Sequence, residues 1–355
     1  MKKVFALTMV LVICAGLLGA LSGCDSSVVT IRVYNWGEYI STGAGKTVNV
    51  LKEFTAQTGI KVKYSTFDTN EGMYSKLKSG GATYDVIIPS DYMIARLIDE
   101  DMLEKIDFSN VPNFSYIDPQ FVNPGYDPAN EFSVPYTWGT VGLFYNKTMV
   151  DGTPDSWDIL WDEKYSGQIL MFDNPRDSFG IAQKLLGQSF NTTNEDEWRA
   201  AADKLIEQKP LVQAYVMDTI FNKMESGEAA LAPYYAGDFA IMRDENGDIG
   251  FVFPKEGTNR FVDAMCIPKD AKHKAEAEMF INFMCSTEIA LANVEATGYS
   301  TPQTQAWEQL PDDVKNDPVF YPGSDVLGNT EVFSALPSDI YDLSNKLWTE
   351  LKIGK

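Results

Sequence analysis

Histidine is nearly missing. His273 stands alone in 355 residues, between Lys272 and Lys274 at a predicted helix start, a setting that reads as solvated. Neither a Gly-x-Ser-x-Gly elbow nor a glycine-rich phosphate loop occurs, so catalysis has little to rest on. Carboxylates are plentiful, and counting them does not exclude a glycosidase-type pair, but no spacing singles one out. Cysteine is scarce as well, with 4 in the chain and none in metal-binding spacing with histidine. Basic residues are few: 29 Lys and Arg stand against 50 Asp and Glu, for a net charge of −21. Such a field repels nucleic acid and anionic lipid and attracts cations, although an acidic surface also serves solubility. No internal repeat and no low-complexity linker is present.

The N-terminal end reads as a targeting segment. Lys2 and Lys3 precede an uncharged apolar run over 4–21, which closes on Leu21-Ser22-Gly23-Cys24. Basic, then apolar, then small is the layout of a secretory signal. A transmembrane anchor is the alternative, since the run approaches the ~18–20 residues that span a bilayer. The ending decides against it, because it resembles the bacterial lipobox. That resemblance implies a signal peptide over 1–23 and acylation of Cys24, which becomes the mature N-terminus. A short tether follows, completing 24–27. The expected location is the periplasmic space or the outer face of the cytoplasmic membrane. There, Cys266 in an apolar strand-like run and Cys285 on an apolar helix face are buried free thiols or a bridge, and their surroundings favour thiols.

The remaining ~330 residues suggest two domains. Strands are predicted over 28–36, 61–64 and 84–88, and helices over 46–58, 70–77 and 91–98, from apolar spacing and Gly59, Gly80 and Gly81 as stops. Strand and helix in alternation imply an α/β fold with a parallel sheet. Ligands of such sheets sit beyond the carboxyl ends of the strands, so Trp36 and Tyr39, and Ser90 and Tyr92, project at one rim. A proline-rich loop follows over 112–135, then a strand over 141–145. Helices are predicted at 156–160, 179–187, 195–207 and 219–226, a strand at 249–253, and helices at 274–285, 287–296 and 338–351. Two domains without a linker suggest lobes interwoven through hinge strands.

Aromatic residues stand beside carboxylates at loop positions: Trp36-Gly37-Glu38-Tyr39, Tyr234-Tyr235-Ala236-Gly237-Asp238 and Phe261-Val262-Asp263. Each cluster alone fits ordinary packing. Together they suit a flexible diammonium ligand, with rings along the methylenes and carboxylates accepting from each ammonium. A sugar site would use the rings but fewer buried carboxylates.

These residues belong to a wider set in fixed order: Tyr34-Asn35-Trp36-Gly37-Glu38-Tyr39, Asn70-Glu71-Gly72-Met73-Tyr74, Tyr84-Asp85-Val86-Ile87-Ile88-Pro89-Ser90, Pro135-Tyr136-Thr137-Trp138-Gly139, Ser156-Trp157-Asp158-Ile159-Leu160-Trp161, Asp173-Asn174-Pro175-Arg176-Asp177 and Thr297-Gly298-Tyr299. With them, nearly the whole chain after the signal resembles the spermidine/putrescine-binding proteins of bacterial polyamine ABC importers. The resemblance implies a two-lobed type II periplasmic-binding-protein fold with hinge crossovers, lobe one over 28–140 plus 263–308 and lobe two over 141–262 plus 309–355. It also implies a monomer without cofactor, metal or catalysis, which captures a polyamine by hinge closure and hands it to an ABC permease. By the same resemblance Trp36, Tyr39, Tyr92, Tyr235, Phe261 and Tyr299 are the aromatic walls. Ser90 supplies a polar group, and Glu38, Asp177 and Asp263 hold ammonium groups. Asn174 replaces an aspartate of the spermidine binders, Gly37 a hydroxyl residue, and Ser334 or Glu331 a cleft glutamine. Trp157, Trp161 and Tyr165 read as packing, and Trp138 as packing or cleft. Rival readings are an iron, thiamine or sugar carrier on the same fold, and an extracellular hydrolase.

Overall fold

The computed structural model describes residues 28–44 and 47–354. The predicted signal peptide, Cys24 with its tether, and the predicted start of the first helix at Lys46 lie outside them. The first half alternates as expected: β1 (Thr30–Trp36), α1 (Val50–Thr58), β2 (Lys61–Phe67), α2 (Asn70–Lys78), β3 (Val86–Ile87) and α3 (Asp91–Asp99). β1 pairs in parallel with both β2 and β3. Caps fix the helix ends. The Asn49 side chain accepts from Lys52 N and Gly59 closes α1 at φ +75, so the helix starts at 50 instead of 46. Strand β3 is shorter than the predicted 84–88. Its flank is held by side chains: Tyr84 stacks on Tyr34 at 4.3 Å, and the Asp85 carboxylate accepts from the backbone of Arg32, Lys272 and His273.

After β4 (Leu103–Glu104) the predicted loop over 112–135 contains tight 3-10 turns at Pro112–Tyr116 and Pro119–Phe121, then enters β5 (Ser133–Asn146). This strand begins well before the predicted 141 and takes in Pro135. Proline offers no N–H to a ladder and is tolerated in a sheet at a bulge. The register shifts at this point: Asp263 faces Thr137, whereas the next residue, Ala264, faces Pro135. Ala264 N–H bonds instead to Pro89 O at 3.1 Å. The buried Asp127 carboxylate braces the entry to β5, accepting from the backbone N–H groups of Glu131, Phe132 and Ser133 and from the Ser133 hydroxyl at 2.8–3.0 Å.

The second half holds β6 (Ile169–Phe172), α4 (Pro175–Leu185), α5 (Glu195–Gln208), β7 (Val212–Val216), α6 (Ile220–Glu225), β8 (Leu231–Tyr235), α7 (Ala236–Glu245) and β9 (Ile249–Val252). Strand β10 (Thr258–Pro268), α8 (Lys274–Met284), α9 (Thr287–Thr297), β11 (Thr330–Glu331) and α10 (Ser338–Ile353) follow. The predicted helix at 156–160 is a 3-10 turn, Trp157–Trp161. The one predicted at 179–187 begins earlier, because Asn174 caps it and Pro175 takes the first position.

The sheet order is β2-β1-β3-β10-β5-β8-β6-β7. β10 meets β3 at Cys266 and Ile87, and β5 meets β8 over Val141–Tyr145, so the antiparallel pair β5/β10 runs through both halves as the crossover. Each half has its own core. Leu170, Phe172, Phe179, Trp198, Leu205 and Leu347 meet in one, with Trp157, Tyr165 and the partly buried Trp161. Ile31, Val33, Phe54, Met265 and Phe280 gather on one face of the other half, and Met73, Ile87, Met93 and Leu97 on its opposite face. Each such side chain contributes ~1.5–3 kcal/mol when fully buried. Trp138 packs with Phe121 and Tyr321 at 5.8 and 6.0 Å. Cys266 and Cys285 are buried free thiols.

Candidate ligand-binding site

Strand ends and helix starts meet between the halves around a cavity whose empty space, open solvent included, is about 680 Å³. Trp36 is the last residue of β1. The turn after it puts Glu38 at φ +47, which brings Tyr39 back beneath the sheet rim. The Tyr39 hydroxyl donates to Asp263 Oδ2 at 2.5 Å and lies 2.5 Å from Thr137 Oγ1. Its ring meets Tyr299 edge-on at 4.6 Å, and Phe261 closes the group, 5.5 Å from Tyr235 and 6.3 Å from Tyr299. Ser90 is the N-cap residue of α3 and makes no capping bond. The Asn70 amide donates to Ser90 Oγ and to the Tyr92 hydroxyl, each at 3.1 Å, and Tyr92 in turn donates to Glu71 at 3.0 Å.

Seven carboxylates line the cavity: Glu38, Asp68, Asp91, Asp177, Asp218, Asp238 and Asp263. Among the described residues, no lysine, arginine or histidine does. Asp91, Asp177 and Asp238 each stand in the first turn of a helix, α3, α4 and α7. A helix N-terminus favours negative charge, and three of them here carry it into one space. The Tyr235 hydroxyl donates to Asp177 at 2.7 Å and the Tyr299 hydroxyl to Asp238 at 2.9 Å.

Burial raises these acids, outweighing the pull of Arg176 on Asp91 and Asp177. Asp263, 3 % exposed, is pushed up to about 6, mainly by desolvation. Desolvation likewise lifts Asp177 to about 7 and Asp91 to about 8, and takes Asp238 well above the usual carboxylate range. Asp263 Oδ1 is buried and has no hydrogen-bond partner. Arg176 is the buried cation nearest in sequence, yet it is not in the lining. It lies behind the wall, 5.1 Å from the Tyr92 ring and 4.5 Å from that of Phe333. Rings with acids between them, and no base, suit an elongated organic cation.

The match to known proteins agrees with this geometry. Residues 49–322 fit the model of the bacterial extracellular solute-binding proteins. The chain belongs to that family. Among its relatives, the spermidine/putrescine-binding periplasmic protein of Escherichia coli (strain K12) is 37% identical over 330 residues, 92% of each chain. The putrescine-binding periplasmic protein SpuD of Pseudomonas aeruginosa is 31% identical with both chains fully covered. A solved Listeria monocytogenes structure, described as a spermidine/putrescine ABC transporter, superimposes with a TM-score of 0.87. It is 41% identical and covers 92% of this chain and 99% of its own. The architecture is thus the two-lobed fold of periplasmic solute-binding proteins, with the cavity between the lobes.

All eleven residues singled out from the sequence line this cavity: Trp36, Glu38, Tyr39, Ser90, Tyr92, Asn174, Asp177, Tyr235, Phe261, Asp263 and Tyr299. Their settings differ from expectation in places. Phe261 and Asp263 lie inside β10, not in a loop, and Asp238 lies in the first turn of a helix. The acceptor of Asn174 is taken by the cap of α4, where it receives Arg176 N at 3.1 Å, so its amide group faces Tyr235 instead. Glu331 pairs with Lys184 at 2.5 Å, and Ser334 O receives Arg176; neither lines the cavity, where Phe333 stands. Trp138 is also outside it. Sequence reasoning missed Asp68, Asp91 and Asp218. The signal available was position: Asp91 follows Ser90 at a helix start, where a carboxylate is common for capping alone.

Proposed function

We propose that this solute-binding protein captures a polyamine of the putrescine and spermidine class between its lobes and delivers it to an ABC permease. One observation carries the reading: among the described residues every charged group lining the cavity is a carboxylate, and the buried Asp263 retains an unpartnered oxygen. An ammonium group supplies the missing donors, and rings such as Trp36, Tyr39, Tyr235 and Phe261 cover the methylenes between charges. A sugar would leave this charge uncompensated. No bond is made or broken, so the protein acts as a carrier and not an enzyme. Lobe one would take 28–140 plus 263–308 and lobe two the remainder, each binding face completed only on closure. Calorimetry with putrescine, cadaverine, spermidine and spermine tests the reading. Saturable binding of at least one supports it; binding of none, beside tight binding of a neutral sugar, overturns it.

The same reading includes anchoring through a lipid on Cys24, with the protein working as a monomer. Support comes from Leu21-Ser22-Gly23-Cys24 at the end of an uncharged run. Two acyl chains hold firmly, since each buried methylene contributes ~0.8 kcal/mol. Cys24→Ser is expected to move the protein from the membrane to the soluble fraction with loss of lipid label. A variant that stays labelled and membrane-bound would exclude Cys24 as the acceptor.

A further inference from the structure

Outside the cavity, the Arg96 guanidinium reaches from one lobe to the other. Arg96 of α3 is sandwiched between tyrosine rings: its Cζ lies 4.0 Å from the Tyr74 centroid and 3.8 Å from that of Tyr341. Tyr74 belongs to α2 and shares a core with α3 through Met73, Met93 and Leu97. Tyr341 stands on α10, whose Ile340, Leu347 and Leu351 are buried in the core of the opposite lobe. Arg96 is fixed on its own side. Its Nε donates to Glu100 at 2.9 Å and Nη2 to the Tyr74 hydroxyl at 3.1 Å, while Nη1 is buried without a partner. The face of the guanidinium is therefore what Tyr341 meets, and a planar cation is attracted to ring faces. Neither Arg96 nor Tyr341 lines the cavity.

The sign of the cleft gives this contact a role. Closure brings Glu38 and Asp68 of one lobe towards Asp218 of the other, and their charges raise the Asp218 pKa beyond the effect of burial. The approach is close: a Cβ at Gly37 would stand 2.2 Å from Asp218 Oδ2. Like charges resist closure of an empty cleft, whereas the Arg96–Tyr341 contact favours it and needs no ligand. We propose that Arg96 and Tyr341 form an interlobe clasp that holds the lobes together and sets the affinity for every ligand of the cleft by a common factor, without touching any of them. The clasp raises the closed share, and apparent affinity follows that share whatever the ligand. The inference uses the polyamine reading only in the choice of ligands.

Two measurements on the mature chain test it. Affinities for putrescine, cadaverine, spermidine and spermine are compared for wild type, Arg96→Ala, Tyr341→Ala, Tyr341→Phe and the double alanine variant. Each single alanine variant is expected to weaken all bound ligands by one shared factor, about two- to thirtyfold for the loss of such a contact. The double variant is expected to lose no more than the worse single, and Tyr341→Phe, which keeps the ring face, to stay near wild type. Unchanged affinities, or losses that differ from ligand to ligand, would overturn the clasp. The second measurement needs no ligand. Spin labels at Lys63→Cys and Glu228→Cys, both exposed and one on each lobe, report the interlobe distance by pulsed electron resonance. A closed share in the wild type that falls in Tyr341→Ala and returns in Tyr341→Phe supports the proposal; no closed share, or equal shares, overturns it. A wild type that binds no polyamine but passes this second test defeats the functional reading and leaves the clasp standing.

Discussion

Asp263 is a buried acid whose one oxygen receives Tyr39 and whose other receives nothing among the described residues. Removing its charge while keeping its shape separates binding from folding. Breaking a buried, hydrogen-bonded charge pair on one side costs ~3–5 kcal/mol, against ~1 kcal/mol or less for an exposed pair. Asp263→Asn is therefore expected to weaken polyamine binding at least about a hundredfold, since ~1.4 kcal/mol is one decade. The folded, ligand-free protein responds in the other direction. Its Asp263 pKa is raised to about 6, above the unfolded value near 3.8, so the native state holds the proton longer and stability falls as pH rises through that window. At pH 8 Asp263→Asn should unfold at the same temperature as wild type or higher; a lower unfolding temperature would show that Asp263 is structural. A pH titration of affinity follows from the same acids. Asp263 at about 6 and Asp177 at about 7 must lose protons to pair with ammonium groups, so affinity is expected to rise from pH 5.5 to 8. Calorimetry in buffers of different ionisation enthalpy should detect proton release near pH 6.5. Uptake there would contradict the pairing. Asp263 was legible because Phe261 stands beside it in sequence, whereas Asp177 was singled out by the family resemblance alone. Asp218 was not legible, because Met217-Asp218-Thr219 carries no such neighbourhood and its place in the cleft is made by lobe closure.

The same logic at the level of elements explains which parts of the fold could be read. Helices α1 and α2 have polar caps, and all of α1, α2 and α3 have apolar spacing within themselves, so their existence follows from local chemistry, and only their ends moved by a few residues. Strands β6, β7 and β8 are short and are defined by pairing with distant partners, which periodicity in a single stretch does not reveal. The first part of β5 was hidden behind Pro135, read as part of a loop, because a proline argues against a central strand unless a bulge accommodates it. The segment before that strand depends on one residue. Asp127 is 2 % exposed and accepts bonds from Glu131, Phe132 and Ser133. Hydrogen bonds to a charged acceptor are worth ~1.5–3 kcal/mol each where the donors would otherwise be buried unpaired. Asp127→Ala is expected to lower stability by ~2–4 kcal/mol in urea unfolding, with Asp127→Asn recovering part of it. A loss below ~0.5 kcal/mol in the alanine variant would mean that water satisfies these donors and that the turn is not what fixes the start of β5.

At the scale of the whole molecule, charge acts twice, and the two actions can be told apart. The chain carries 50 acidic against 29 basic side chains, and this excess spreads a negative field over the surface. The field draws cations toward the protein from any direction and raises the rate of encounter. Mobile ions screen it over ~10 Å at 0.1 M salt and ~30 Å at 0.01 M. The contacts inside the closed cleft belong to a different regime. Asp263 and Asp177, with 3 % and 6 % exposure, are walled by rings, and salt in the medium reaches such pairs poorly. Raising salt from about 0.01 M to about 0.2 M should therefore slow association severalfold, because steering is a screened, long-range effect. Dissociation, which breaks the enclosed contacts and opens the lobes, should change little. Equilibrium affinity then weakens by the association factor alone and binding persists. Stopped-flow mixing across that salt range, followed by tryptophan fluorescence through Trp36 in the cavity wall, separates the two rates. Were dissociation to accelerate in step with salt, or binding to vanish at moderate ionic strength, the cation would be held by the acidic surface, and the enclosed carboxylates would not be its site.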